Sequence, residues 1–343
     1  MNIFWTKKTF TKILIGLVIF GLNACKTNTV ELALEEVTLS KVSFSRNPTN
    51  IAWLLDGRLV FTVPQGEYSS RLWIVNSDGS DADLLDLPEE LGIECLRTDF
   101  ALPQALPDGR LALMRIGIAC HSDDGIKEQS QILIWNPKDE KSTVDEHFFL
   151  HDSRITLFSL APDLSTGIGS TNAGIEDNLY WLDNTKPNPI DVGMVRASHP
   201  EWSPDGESIA FFGSQKLSGP SGPGWATQPD DLWLMPASCQ ENCKDHLTLL
   251  VEDVENSHDL SWGRNNEWLA FTGNPYFRGY GVWLLNIQTR KLVWVVSGDY
   301  GRVEWSPLGN LLAVIGYENQ GSIDKSSVYL VDITRVIEED KNR

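Results

Sequence analysis

The chain has 343 residues, with 28 Lys and Arg against 47 Asp and Glu and a formal net charge of −19. Hydrophobic residues make up 41% and charged residues 22%, the proportions of a folded globular protein and not of a disordered one. Such acidity excludes nucleic-acid backbones and anionic membrane faces as charge-held partners, because both need clustered Lys and Arg.

At the N-terminus, Lys7, Lys8 and Lys12 come before an uninterrupted apolar run, Ile13 to Leu22. A bilayer-spanning helix takes about 20 apolar residues, so this run is too short to span and has the make-up of a signal-peptide core. The tetrapeptide that completes it, Leu22-Asn23-Ala24-Cys25, resembles the lipobox of bacterial lipoproteins. That resemblance implies removal of residues 1–24 as a signal peptide, a diacylated Cys25 and a membrane as the partner of its lipid. Multiple acyl chains anchor far more firmly than one. In enteric lipoproteins an Asp after the Cys retains the protein at the inner membrane. Lys26 stands there instead, which points to the periplasmic side of the outer membrane or to the cell surface. Residues 25–36 are expected to be a lipidated tether.

Next comes Val37-Thr38-Leu39-Ser40-Lys41-Val42, which alternates weakly and is predicted to pair as an outermost strand with the far end of the chain. A repeat then governs the sequence. It reads Ala52-Trp53-Leu54-Leu55-Asp56-Gly57, then Leu59-Val60-Phe61, then Leu72-Trp73-Ile74. The same order returns at Glu201-Trp202-Ser203-Pro204-Asp205-Gly206 with Trp233, at Ser261-Trp262 with Trp283, and at Glu304-Trp305-Ser306-Pro307 with Tyr329. Weaker copies begin at Leu106-Pro107-Asp108-Gly109, leading to Trp135, and at Leu160-Ala161-Pro162-Asp163, leading to Trp181. Nine of the 13 Trp occupy these two repeated positions. The second aromatic recurs every 46 to 62 residues, close to the 40 to 50 of a propeller blade. Each unit is a short strand, a tight Asp-Gly turn, a β-rich return strand, a variable loop and a Trp-bearing third strand. Alone it buries too little, whereas stacked around an axis its faces cover one another. Residues 37–336 are therefore predicted to form one all-β domain, a six-bladed β-propeller of four-stranded antiparallel blades, followed by a charged tail, 337–343.

Over about residues 40–335 the pattern resembles the TolB-like propeller repeat, which is also found beside the catalytic domains of prolyl-oligopeptidase-type enzymes. TolB-like propellers dock an outer-membrane lipoprotein and an extended peptide. The resemblance thus implies a non-catalytic scaffold in the cell envelope with a protein or peptide partner. No cofactor is expected.

The first turn of each unit is clipped, while the second connection is long, as in Gly213 to Asp230, and long loops on a rigid scaffold commonly carry binding. Trp225 in that loop either anchors a partner or folds back over its own blade. Tyr276, Phe277, Arg278 and Tyr280 in the next loop read either as a recognition surface or as packing. His199 and His258 lie three and four residues before repeat tryptophans, near the start of inner strands. Glu201 and Glu304 directly precede such tryptophans. These four are candidates for lining the axis; the alternative is that they make the hydrogen bonds of the repeat. Were they to converge, a propeller enzyme of lactonase or glycan-active type would become the rival function. No nucleophile elbow or His-Glu-x-x-His is present. Beyond Cys25 four cysteines remain, Cys95, Cys120, Cys239 and Cys243, which allow three pairings in an oxidising compartment. Closing the small Cys239–Cys243 loop leaves Cys95 to pair with Cys120. No His stands at finger-like spacing to favour zinc.

Overall fold

The computed structural model describes residues 29–32, 37–65, 70–85, 95–122, 125–136, 144–151, 155–171, 178–183, 187–215, 229–317 and 325–341. The expected signal peptide, Cys25 and Trp225 lie outside them. Apart from one short 3-10 turn and one C-terminal helix, the described secondary structure is strand.

Neighbouring strands pair antiparallel in groups of four. The first group is Asn50–Trp53, Leu59–Pro64, Ser70–Val75 and Asp83–Leu84. The second is Cys95–Ala105, Leu111–Ser122, Gly125–Trp135 and Val144–His151, and the third is Ile155–Leu160, Gly167–Thr171, Leu179–Leu182 and Asn188–Pro189. A fourth holds Arg196–Trp202, Ser208–Ser214 and Asp230–Pro236, closed by the first half of the long strand Thr248–Trp262. The second half of that strand opens a fifth group with Trp268–Pro275, Gly281–Asn286 and Lys291–Ser297. The sixth holds Tyr300–Trp305, Leu311–Tyr317 and Ser326–Asp332.

The apolar core lies between these groups. One buried cluster packs Phe212 and Leu232 of the fourth against Phe271 and Trp283 of the fifth. Another packs Ile51, Trp53 and Phe61 of the first against Ala313, Ile315 and Val328 of the sixth. Equivalent clusters join every other neighbouring pair. Sheets stacked in this way close into a ring, and the architecture is a β-propeller.

The strands of each unit are turned by local chemistry that the repeat encodes. In five units a side-chain oxygen accepts from the amide two residues on: Asp56 from Arg58, Asp108 from Arg110, Asp163 from Ser165, Asp205 from Glu207 and Asn265 from Glu267. The residue between them is left-handed, at φ +88° for Gly57, +91° for Gly109, +60° for Leu164, +75° for Gly206 and +58° for Asn266. Glycine suits this position because it has no Cβ to clash, and Asn tolerates it. The third and fifth units therefore fold the same turn with a costlier residue.

The ends of the chain lock together as expected. Thr38–Lys41 pairs antiparallel with Ser326–Asp332 and becomes the outer strand of the sixth group. Two features differ from the sequence reading. Thr29–Leu32, placed in the tether, runs parallel to Lys291–Ser297 and extends the fifth group. An outer strand exposes a row of unpaired backbone groups that invites such an addition, and a parallel pair leaves no hairpin signal in sequence. The charged tail is also not a tail. Thr334–Lys341 is an α-helix whose Val336 and Ile337 are buried with Ile333 against the last two groups. That i, i+3, i+4 spacing puts three apolar residues on one face, and the surrounding charges mask it.

Cys239 and Cys243 are disulfide-bonded. The bridge closes the turn after the third strand of the fourth group, where the Gln240 carbonyl accepts from Trp181 Nε1 of the third. Cys95 and Cys120 are direct register partners on adjacent antiparallel strands, a backbone spacing within the reach of a disulfide.

Candidate functional site in the axial channel

The six inner strands stand around the axis, and strand parity decides which residues face it. Two layers result. Immediately before the inner tryptophan or its equivalent stand Ala52, Gln104, Ser159, Glu201, Ser261 and Glu304. Two residues earlier stand Asn50, Leu102, Leu157, His199, Asp259 and Arg302. In the last five units the register shifts within this zone, between Ala101 and Gln104, Ile155 and Leu157, Ser198 and Glu201, Glu255 and Asp259, and Tyr300 and Arg302. A bulge re-aims side chains in this way beside functional sites. His199 sits in one of them at φ +52°, a strained conformation for an imidazole-bearing residue.

The first layer also ties the ring together. Ser159 Oγ accepts from Trp202 N at 3.1 Å, Ser261 Oγ from Trp305 N at 2.8 Å, and Gln104 Oε1 from Leu160 N at 2.9 Å, each reaching into the next unit. In return Trp262 Nε1 donates to Glu201 O and Trp53 Nε1 to Glu304 O, both at 3.2 Å. The backbone carbonyls of the two glutamates thus make repeat hydrogen bonds, while their carboxyl groups project into the channel.

Two cavities meet at this waist. A narrow one of about 80 Å³ is lined by the second layer, including His199, Asp259 and Arg302, together with Gln104, Glu201 and Glu304. A wider funnel of about 350 Å³ opens on the face of the clipped turns. Its walls are Trp53, Trp202, Trp262 and Trp305 with Pro107, Pro162, Pro204 and Pro307, and its floor is again Gln104, Glu201 and Glu304 with Ser261.

The electrostatics of the waist are unusual. Burial, then the nearby Asp259 charge, raises the Glu201 carboxyl to about 8, against a small opposing effect of its Ser159 hydrogen bond. Burial, then Glu201 and Asp259, raises Glu304 well above the carboxylate range. Burial also raises Asp259, opposed by Arg302, whose Nη1 lies 3.1 Å from Asp259 Oδ1, and by the Val303 amide at 3.0 Å. His199 is held neutral, its value lowered to about 3 by burial and then by Arg302, His258 and Arg196. Its Nδ1 lies 3.1 Å from Ser198 Oγ. No group of three or more His, Cys, Asp or Glu among the described residues is arranged to hold a metal ion.

In shape, the TolB from Acinetobacter baumannii is similar, with a TM-score of 0.55 and 13% identity over 81% of this chain. The fold is a TolB-like β-propeller. This chain spans 64% of that protein's length, less than two thirds. The β-propeller domain of the Trilobed protease from Pyrococcus furiosus is also similar, at 11% identity and TM-score 0.47, over 83% of this chain and 82% of that one. So is an oligogalacturonate lyase in complex with manganese, at 11% identity and TM-score 0.49, over 87% and 90%. No protein family and no curated protein matches the sequence. Likeness at this identity assigns the fold and leaves function to the site.

Of the four axis candidates, the TolB-like propeller brings His199, Glu201 and Glu304 to the channel wall and leaves His258 off it. His258 is one residue out of phase and lines neither cavity, although it stands close enough to lower His199. Asp259 and Arg302, which sequence reading missed, take the phase of His199; counting three residues back from each inner tryptophan finds both. The aromatic loop divides. Tyr276 packs on the core between the fourth and fifth groups. Tyr280 donates to Glu255 Oε2 at 2.8 Å and accepts from Asn256 Nδ2 at 3.2 Å. The Arg278 amide closes the tight turn onto Pro275 O, with Arg278 itself exposed, and Phe277 is exposed at 63% against 38% for Tyr280.

Proposed function

We propose that this propeller is a lipid-anchored protein of the bacterial cell envelope that binds a segment of a protein partner in its axial funnel and performs no chemistry of its own. The funnel on the turn face carries the reading. Its Trp and Pro walls stand on inner strands and clipped turns, so the cavity is preformed, and its size and its combination of apolar walls with a polar floor suit a ligand site. Desolvated tryptophans are the residues on which interface energy concentrates. The lipobox-like Cys25 and the TolB-like fold support an envelope location.

A photo-crosslinking amino acid at Leu55, on the funnel wall, tests the reading in intact cells; it is expected to capture one discrete protein. Capture from Phe277 on the opposite face, with none from Leu55, would move the site to the long loops. Cys25→Ser is expected to release the chain into the soluble fraction, and continued membrane retention would remove the lipid from the account.

The convergence of Glu201 and Glu304 favours a second reading, an enzyme using that carboxyl pair on a glycan or lactone. Turnover of an oligosaccharide or lactone panel that Glu201→Gln abolishes would establish it over the first.

A further inference from the structure

We infer that the funnel floor recognises one cationic side chain, lysine or arginine, carried by the bound segment. This rests on the peptide-binding reading above and specifies the chemistry of its ligand.

The waist is short of positive charge. Three carboxyl groups, those of Glu201, Asp259 and Glu304, face one guanidinium, and that of Arg302 is engaged by Asp259. His199 is neutral, and His258 stands off the wall. Glu201 has the Ser159 hydroxyl as its partner. Among the described residues, no hydrogen bond or ion pair holds the Glu304 carboxyl, which lines both cavities. A desolvated carboxyl without a counter-charge is costly to ionise, and an incoming cation supplies the charge that makes ionisation favourable.

The walls match the rest of such a side chain. Lysine and arginine carry apolar stems that lie along hydrophobic surface while the charged head reaches further. Four indoles line the path, and aromatic rings attract cations most strongly where water is displaced. The net charge of −19 steers cations toward the molecule at long range.

Binding must also move protons. In the empty site the Glu201 carboxyl, raised to about 8, holds its proton near neutrality, and an arriving cation favours its release. Affinity therefore rises with pH up to the range in which the empty site is already ionised.

The test is calorimetric titration of the whole protein with acetyl-Gly-Pro-Lys-Pro-Gly-amide and its norleucine analogue, in buffers of differing ionisation heat. The lysine peptide is expected to bind at least tenfold more tightly at about pH 7.5, to release a proton, and to lose most of that advantage at about pH 5. Glu304→Gln, and independently Glu201→Gln, should reduce the preference with the norleucine affinity unchanged. Equal binding of the two peptides, or a preference that survives both substitutions, overturns the cation inference alone. Binding of neither peptide overturns the inference together with the peptide-funnel reading beneath it.

Discussion

Gly206 and Gly309 sit in corresponding turns of the fourth and sixth units but do different physical work. Gly206 is left-handed, and a Cβ there would meet only the Pro162 ring, whose Cδ and Cγ lie at an ordinary 3.5 and 3.7 Å. Gly206→Ala should therefore cost about 1–2 kcal/mol of purely conformational origin. Gly309 is not left-handed and has nothing within 4 Å, so Gly309→Ala should be neutral or slightly stabilising. Urea unfolding of the two variants checks the contrast. The waist carboxyls give a second expectation. In the unfolded chain they ionise near about 4.3, whereas in the fold they keep their protons to higher pH, about 8 for Glu201. The folded state then binds more protons across that window, and their contribution to stability falls as pH rises through it. Glu304→Gln should raise the melting temperature at about pH 8 and change it little at about pH 4; an equal gain at both would mean that the glutamate is not held protonated. Glu201 and Glu304 were legible in the sequence because they adjoin the repeat tryptophans. Asp259 and Arg302 were not singled out, since they look like ordinary surface charges until strand phase is applied. His258 shows the converse, a residue type suggestive of a site at a position that lines neither cavity.

At the level of elements, the strands were readable because alternation, Asp-Gly turns and tryptophan spacing all indicated the same units. What escaped were the two elements whose signal is not local. Thr29–Leu32 owes its strand to an edge more than 250 residues away. The C-terminal helix owes its existence to a groove between the last two groups, and its mean composition is polar. Its attachment is specific: Asp340 accepts from Asn286 Nδ2 at 3.1 Å and pairs with Lys291 Nζ at 3.4 Å. Ile337 is 3% exposed. Ile337→Ala should cost about 2–5 kcal/mol, the range for a buried large-to-small change, whereas a dispensable tail would show no effect. Thermal or chemical unfolding of that variant decides between the two.

For the whole molecule, stability depends on the ring being closed. The cluster between the first and sixth groups is of the same kind as those between sequence neighbours, and Thr38–Lys41 fastens it by pairing with the last strand of the chain. A chain beginning at Val42 keeps every fully buried residue of the apolar clusters, losing only the partly buried Val37, yet leaves Ser326–Asp332 and Lys291–Ser297 as bare edges. It is expected to melt earlier and over a broader range in calorimetry, with a tendency to associate; an unchanged sharp transition would assign closure to the clusters alone. The parallel strand Thr29–Leu32 has one more effect. Thr29 pairs with Lys291, whose ammonium meets the C-terminal helix, and that helix packs beside the turn residues Arg264 and Gly309. The chain therefore departs on the side where the tryptophan-walled mouth opens. From Cys25 to Thr29 the leash reaches only about 14 Å when fully stretched. A molecule moored through Cys25 would hang mouth-down, and whatever threads into it would have to slip in sideways through a slit about as tall as that leash.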